Sequence, residues 1–383
     1  MTSPFEVRVH LLAHSLENAG ISLAVLSDPD SIAYYGGYWN YLGMEFGRPT
    51  LMIVAPGQSP VIVTPLMESE MCAAMSWVGD IRPWTDGGRE WRDLLIGLLG
   101  SPATATPIGI EAARLPNVIA AEIREQLPAR ILTDIAPLIA EQRMIKSPDE
   151  IAIMRQAGEV AVSMMDAAAD AIGPGVPEYE IALAAMQAGT RRAASLLRDP
   201  QDRYVSPLIH NLQILQSGTD TCMVHRRAAV RPLELGDPVY LCFCGMVSFR
   251  NYKLGFDRQF FAGAVTDEQA RIQEAALAAQ RAALATIRPG IRCEAVNAAA
   301  EEAYAAAGFS PGYRTGRSVG MSLLEAPELK RGETRELRAG MTFAVDGGIT
   351  VPGKGGGRIG DSIVVTEDGF DYLTPYPRNL KVL

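Results

Sequence analysis

Nowhere in this sequence do apolar residues run unbroken for the roughly 18 positions that a membrane-spanning helix needs, so no membrane partner is expected. Excess positive charge is missing too: 35 Lys and Arg stand against 44 Asp and Glu, a net charge of -9. A nucleic-acid surface needs clustered cations to displace counterions, which excludes that class of partner. The five cysteines are an odd number and read as reduced thiols of a cytoplasmic protein. Histidines number four, so one that falls near a motif carries weight. The first residues, MTSPFEVRVHLLAHSLENAG, carry a charge every few positions and no apolar core of signal-peptide length. Phe5, Leu11, Leu12 and Leu16 recur there at helical spacing and predict a first helix packed on a sheet.

What is present is a chain of 383 residues, 48% hydrophobic, long enough for two cores. Residues 1–140 alternate short strand-like runs (ISLAVLSD, TLMIVAPG, PVIVTPL, IRPWTD, PIGIEA) with helical stretches, which predicts a smaller α/β domain with a mixed sheet. A second domain, residues 141–383, opens at MIKSPDEI, where Ser147 suits a helix cap and Pro148 the first turn. Two helices, strands, two more helices (267–286 and 293–308) and a final set of strands follow, and they read as two related α/β halves. The run Gly355-Gly356-Gly357 reads as a flexible loop bordering a site.

The stretch LCFCGMVSFRNYKLGFDRQFF places a single acid, Asp257, in what looks like buried sheet. SGTDTCMVHRRAAVRPLELGDPVYL puts His225 ahead of the turn that launches it. YRTGRSVGMSLLEAPEL, then LRAGMTFAVDGGI and GGGRIGDSIVVTEDG complete a series of four blocks. In this order and spacing they resemble the creatinase, prolidase and aminopeptidase P family, which implies a pita-bread catalytic domain made of two pseudo-symmetric α/β halves.

The resemblance carries five metal-ligand positions onto Cys244, Gly255, Arg317, Asp346 and Gly360, of which only Asp346 keeps a carboxylate. Metal ligands and cofactors are therefore expected to be none, and the creatinases, metal-free members, are the better comparison. Three features match them: His225, Asp257 followed by Arg258, and Phe46 to Arg48 in the smaller domain, the stretch that in creatinase reaches a neighbouring protomer. Gly360, Leu324, Asp346 and Lys253 depart from creatinase, so creatine itself is not the expected substrate.

What the resemblance implies is a homodimeric, metal-independent hydrolase that cleaves a C–N bond, of amide, amidine or guanidino type, in a small carboxylate-bearing compound. His225 would serve as acid and base. Asp257 would hydrogen-bond or attack the substrate, and Asp346 would hold the histidine or the substrate. Arg317, and Arg48 from the second copy, would take the substrate carboxylate, because a guanidinium grips a carboxylate with two parallel bonds. Phe46, Lys253, Glu325 and Arg258 are the remaining substrate-side candidates. Two other classes stand beside this reading: a non-catalytic binding protein of the same fold, and a lyase using the same base. Cys222, His225, Cys242 and Cys244 offer a zinc-like donor set, and Cys244 near His225 offers a nucleophile.

Overall fold

Short β-branched runs separated by amphipathic helices dictate the first of two units, residues 1–142, and the second covers 143–383. The computed structural model describes residues 3–39, 48–85, 90–101, 103–209, 214–244, 248–310 and 313–383. In the first unit α1 (Pro4–Asn18) starts with proline in its first turn, where the missing N–H costs nothing. It is followed by β1 (Leu23–Leu26), α2 (Pro29–Gly36), β2 (Leu51–Val54), β3 (Val61–Pro65), α3 (Ser69–Met75) and β4 (Asp80–Trp84). Then come α4 (Glu90–Leu99), β5 (Ile108–Ile110), α5 (Asn117–Gln126), β6 (Leu132–Asp134) and α6 (Ala136–Met144). The sheet runs β4-β3-β2-β1-β5-β6 and is mixed, antiparallel at its centre and parallel at both flanks. Its core packs Val25, Leu51, Val63, Trp91, Leu95, Ile119 and Ile123.

The second unit opens at α7 (Pro148–Ala171). The Ser147 side chain accepts from the Glu150 amide, and the Glu150 carboxylate accepts from the Ser147 amide, a reciprocal cap. α8 (Glu178–Leu196) packs on α7, and β7 (Ile214–Ser217), β8 (Pro238–Cys242), β9 (Ser248–Phe249), β10 (Tyr252–Lys253) and β11 (Asp257–Phe261) follow. The pattern then repeats: α9 (Asp267–Thr286), α10 (Cys293–Ala306), β12 (Gly316–Ser318), β13 (Glu325–Leu329), β14 (Thr342–Val351), β15 (Gly355–Val365) and β16 (Phe370–Tyr372). Thr266 and Gln269 cap α9 in the same reciprocal way. One eight-stranded sheet, β13-β12-β14-β15-β11-β8-β7 with β16 beside β15, carries both halves. α9 and α10 bury the face of Phe343, Val345, Ile349, Ile363 and Val365.

The glycine run is not a loop. Gly355, Gly356 and Gly357 begin β15, buried and paired with Val351, Thr350 and Ile349. A methyl group on Gly356 would lie 2.8 Å from the carbonyl oxygens of Ile349 and Thr221, and one on Gly357 2.7 Å from that of Ile272. Backbone packs directly on this strand, and only residues without side chains admit it.

Opposite the Asp257 face, Asp361 is wholly buried and collects four donors. Arg258 Nη2 reaches it at 2.7 Å, Arg378 Nε at 3.0 Å, Gln280 Nε2 at 3.0 Å and Thr374 Oγ1 at 3.4 Å. Removing the acid leaves Arg258 charged and buried, so Asp361→Asn is expected to cost about 3–5 kcal/mol. Urea unfolding of the variant against the parent measures that loss; an unchanged midpoint would show the pair to be dispensable.

Candidate active site

Directly opposed residues on neighbouring strands put their side chains on one face. Cys242 of β8 pairs with Asp257 of β11, Asp257 with Gly360 of β15, and Gly360 with Asp346 of β14. A single row across the sheet thus carries thiol, carboxylate, glycine and carboxylate. Gly360 brings no side chain into the middle of the row, and the two acids close over it. A methyl group there would sit 2.8 Å from Asp346 Oδ1 and 3.0 Å from Asp257 Oδ2, so both acids flank one point. Arg317 of β12 pairs with Ala344, two residues from Asp346 and therefore on the same face, and the ladder shifts register between Arg317 and Ser318. A register break of that kind re-aims a side chain.

The guanidinium of Arg317 joins the row. Nη1 donates to Asp346 Oδ2 at 2.7 Å, and Nη2 donates to Cys244 Sγ at 2.8 Å. Cys244 Sγ in turn donates to Asp257 Oδ1 at 3.4 Å, and the Tyr240 hydroxyl donates to Asp257 Oδ2 at 3.1 Å. Burial opposes the charge on Arg317, but Cys244, Asp346 and Asp257 outweigh it and hold the guanidinium protonated. Burial pushes the Asp346 carboxyl up to about 6, with Arg317 pulling it down and Asp257 adding to the rise. Asp346 Oδ1, buried, has no hydrogen-bond partner among the described residues. Burial, then Cys244 and Asp257, raise the Cys242 thiol well above its usual range.

The donor chemistry does not fit a pair of divalent ions. At Gly255, where a ligand aspartate would stand, a methyl group would lie 2.8 Å from Arg317 Nη2, so the fixed cation fills that space. Gly360 offers no side chain, and the one remaining ligand-type acid, Asp346, is neutralised by arginine. Cys242, Cys244 and Asp257 have donor atoms within 4.8 Å of one another. A thiol must ionise to bind a metal, whereas Cys242 is held protonated and Cys244 already faces a guanidinium. Cys222 and His225 do not belong to that group among the described residues.

The structure brings Asp257, Asp346 and Arg317 together and leaves other candidates elsewhere. His225 is exposed in the turn after β7 and makes no hydrogen bond among the described residues to either aspartate. Arg258 points to the opposite face, and all five of its N–H donors are used. They go to the carbonyls of Pro377, Asp257, Gly360 and Tyr376 and to Asp361. Lys253 donates to the Met321 carbonyl at 2.6 Å, and Glu325 forms a buried ion pair with Lys146 at 2.8 Å. Burial works against the ionised Glu325, yet Lys146 and Arg143 hold its carboxyl below the ordinary value. Arg48 lies 3.9 Å from Met67 Sδ in the first unit, and Phe46 falls outside the described residues. Sequence reasoning missed Tyr240 and gave Cys242 no place beside Asp257. The signal was the spacing of two in Tyr240, Cys242 and Cys244, which sets all three on one face of β8 and its extension.

Comparison with known proteins places these positions in context. Residues 152–367 match Metallopeptidase family M24, and residues 8–145 match the Creatinase/Prolidase N-terminal domain. The chain is 28% identical to the agropine synthesis cyclase of Rhizobium rhizogenes, covering 97% of this chain and 96% of that protein. It is 26% identical to the Xaa-Pro dipeptidase of Lactobacillus helveticus, covering 96% of each. The crystal structure of the prolidase from Pyrococcus horikoshii OT3 superposes with a TM-score of 0.83 at 23% identity, over 98% of this chain and 99% of the other.

The ion pair at the centre of the row sets an expectation for stability. Arg317→Met strands Asp346 in a buried site and is expected to cost about 3–5 kcal/mol. Adding Asp346→Asn removes the stranded charge and is expected to recover most of that loss. Chemical denaturation of the single and double variants measures the coupling, and strictly additive losses would show that the two groups do not depend on each other.

Proposed function

The chain belongs to Metallopeptidase family M24, and from that premise we propose a metal-independent enzyme that cleaves a C–N bond in a small carboxylate-bearing compound. Family membership and relatives over nearly the full length support an enzyme of hydrolase or related activity. The observation that carries the finer reading is the row Asp257–Gly360–Asp346, with Arg317 standing where a cation-binding aspartate would be. A metal-dependent relative uses its ions to activate water and to neutralise developing charge. Here a fixed guanidinium supplies the positive charge, and a buried carboxylate with a raised proton affinity supplies the base.

Asp346 takes a proton from the attacking group and returns it to the leaving nitrogen. Its Oδ1, without a partner, is the acceptor that faces Asp257 across Gly360. Asp257, oriented by Tyr240 and Cys244, binds the cationic or N–H part of the substrate. Arg48 from a second copy takes the substrate carboxylate, because Arg317 is already paired with Asp346. The relative named as a cyclase supports a second reading: the same base removes a proton from a nucleophile within the substrate, and a ring closes without added water.

Screening small carboxylated amides and amidines with protein treated with EDTA tests the reading. Turnover is expected to survive chelation and to fall by about 10²–10⁴-fold in Asp346→Asn, with ligand affinity retained because Asp257 still binds the substrate. Loss of turnover on chelation, restored by added divalent metal, would overturn it. Retained turnover in Asp346→Asn would remove the carboxylate row from the chemistry.

The pH profile carries a separate expectation. A base works only when ionised, and Asp346 is ionised above about 6. kcat/KM is therefore expected to rise as pH rises through about 6, and Asp346→Asn is expected to abolish that limb along with most of the rate. A profile with no limb in this region would assign the base elsewhere.

A further inference from the structure

Of the six side chains that build the row and its surroundings (Tyr240, Cys242, Cys244, Asp257, Arg317 and Asp346), Cys244 alone is not buried. Its sulfur is therefore the atom of the row that a ligand can reach from solvent. That sulfur lies between a cation and an acid: Arg317 Nη2 donates to it at 2.8 Å, and it reaches Asp257 Oδ1 at 3.4 Å. Next to this group Asp346 Oδ1, more than nine-tenths buried, is a polar atom without a partner and is turned toward Asp257 across Gly360. A sulfur nucleophile needs a cation to hold negative charge and an acceptor for its proton, and the geometry supplies both.

We infer that Cys244 is the nucleophile of the reaction. The inference rests on the carboxylate row being the site of chemistry, as proposed above, and names the atom that attacks there. Sulfur forms a bond to the acyl carbon, and its proton, shared first with Asp257, passes to Asp346 Oδ1, the base of the row. The C–N bond breaks with its electron pair on nitrogen, and the proton held by the carboxylate row goes to the leaving amine. The acyl group is then held as a thioester on Cys244. Water attacks that carbon and gives a proton to the carboxylate row. The C–S bond breaks, its electron pair stays on sulfur beside Arg317, and the proton returns to restore the thiol. A hydroxyl or amine of the substrate itself in place of water closes a ring by the same exchange, so one covalent intermediate serves both a hydrolase and a cyclase.

Iodoacetamide tests this on the intact protein before any substrate is known. Cys222, also partly exposed and away from the row, is the internal reference. Alkylation mapped by peptide mass at near-neutral pH is expected to be at least about tenfold faster at Cys244 than at Cys222. In the paired variant Arg317→Met with Asp346→Asn, which keeps the buried site free of a stranded charge, Cys244 is expected to slow about tenfold and Cys222 to hold its rate. Equal rates at the two thiols in the parent, or an unchanged Cys244 rate in the paired variant, would overturn the inference. On a substrate found by screening, Cys244→Ala is expected to abolish turnover and Cys222→Ala to leave it intact. Turnover that survives Cys244→Ala but not Asp346→Asn would remove the nucleophile and leave the carboxylate row standing. Turnover that survives both would remove the row itself.

Discussion

The buried pair Arg258–Asp361 is the contact on which the geometry of the row depends. Asp257 and Arg258 are neighbours on β11, and Gly360 and Asp361 are neighbours on β15, so each strand presents one member of each pair to each face. On one face the guanidinium of Arg258 holds Asp361 at 2.7 Å and also the main-chain carbonyls of Asp257 and Gly360. On the other face this fixes Asp257 opposite Gly360. A one-residue slip of the ladder would exchange the two faces, burying Asp257 against α9 and stranding Arg258 in the row. The ion pair therefore sets register, and register sets the chemistry.

Given that register, the electrostatics of the row follow from one exchange of charge. A dinuclear site balances several carboxylates against two divalent cations. At the five positions onto which the family resemblance carries metal ligands, this chain has two glycines, one cysteine, one arginine and a single acid. One guanidinium then balances the Asp346 carboxylate and faces a thiol, at 2.7 and 2.8 Å. In a medium of low dielectric such contacts are strong, and leaving either charge alone is costly. The excess acid is accommodated by a proton: Asp346 keeps one up to about pH 6. Charge in the row is thus regulated by protonation, which is the property an acid–base site requires.

Much of this was legible in the residues, and the limits of legibility are physical. Local signals survived folding where the physics is local: Ser147 caps α7, Pro4 begins α1, and α9 runs from Asp267 to Thr286. Asp257, singled out as an acid in what looked like buried sheet, does lie on a buried strand, β11, and accepts from Cys244 and Tyr240. The glycines 355–357 were misread because composition describes backbone freedom and not what lies against the backbone; here it is the carbonyls of Ile272, Ile349 and Thr221. Arg258 looked like a substrate contact because it neighbours Asp257. Adjacent strand residues face opposite ways, and its partner Asp361 lies 103 positions further along the chain. Tyr240 escaped notice, and Cys242 was read only as one of a zinc-like set, because a buried tyrosine and a buried cysteine usually mean packing and only the cross-strand register sets them beside an acid.

On the function proposed above, the same register would serve either bond cleavage or ring closure. The groups of the row act on whichever nucleophile reaches the carbon, and nothing in Asp257, Asp346 or Arg317 selects water over a hydroxyl or amine of the substrate. Selection falls to what surrounds the row. At Gly360 the two acids close over the strand, and beside Asp257 stand Tyr240 and Cys242, both buried. Access runs past Cys244, the most exposed group of the set. A substrate that fills this access excludes bulk water from the carbon and favours its own nucleophile, whose effective concentration is high by virtue of being tethered. One that fills it incompletely admits water and is hydrolysed. The outcome is then set by substrate shape against a fixed row of charges.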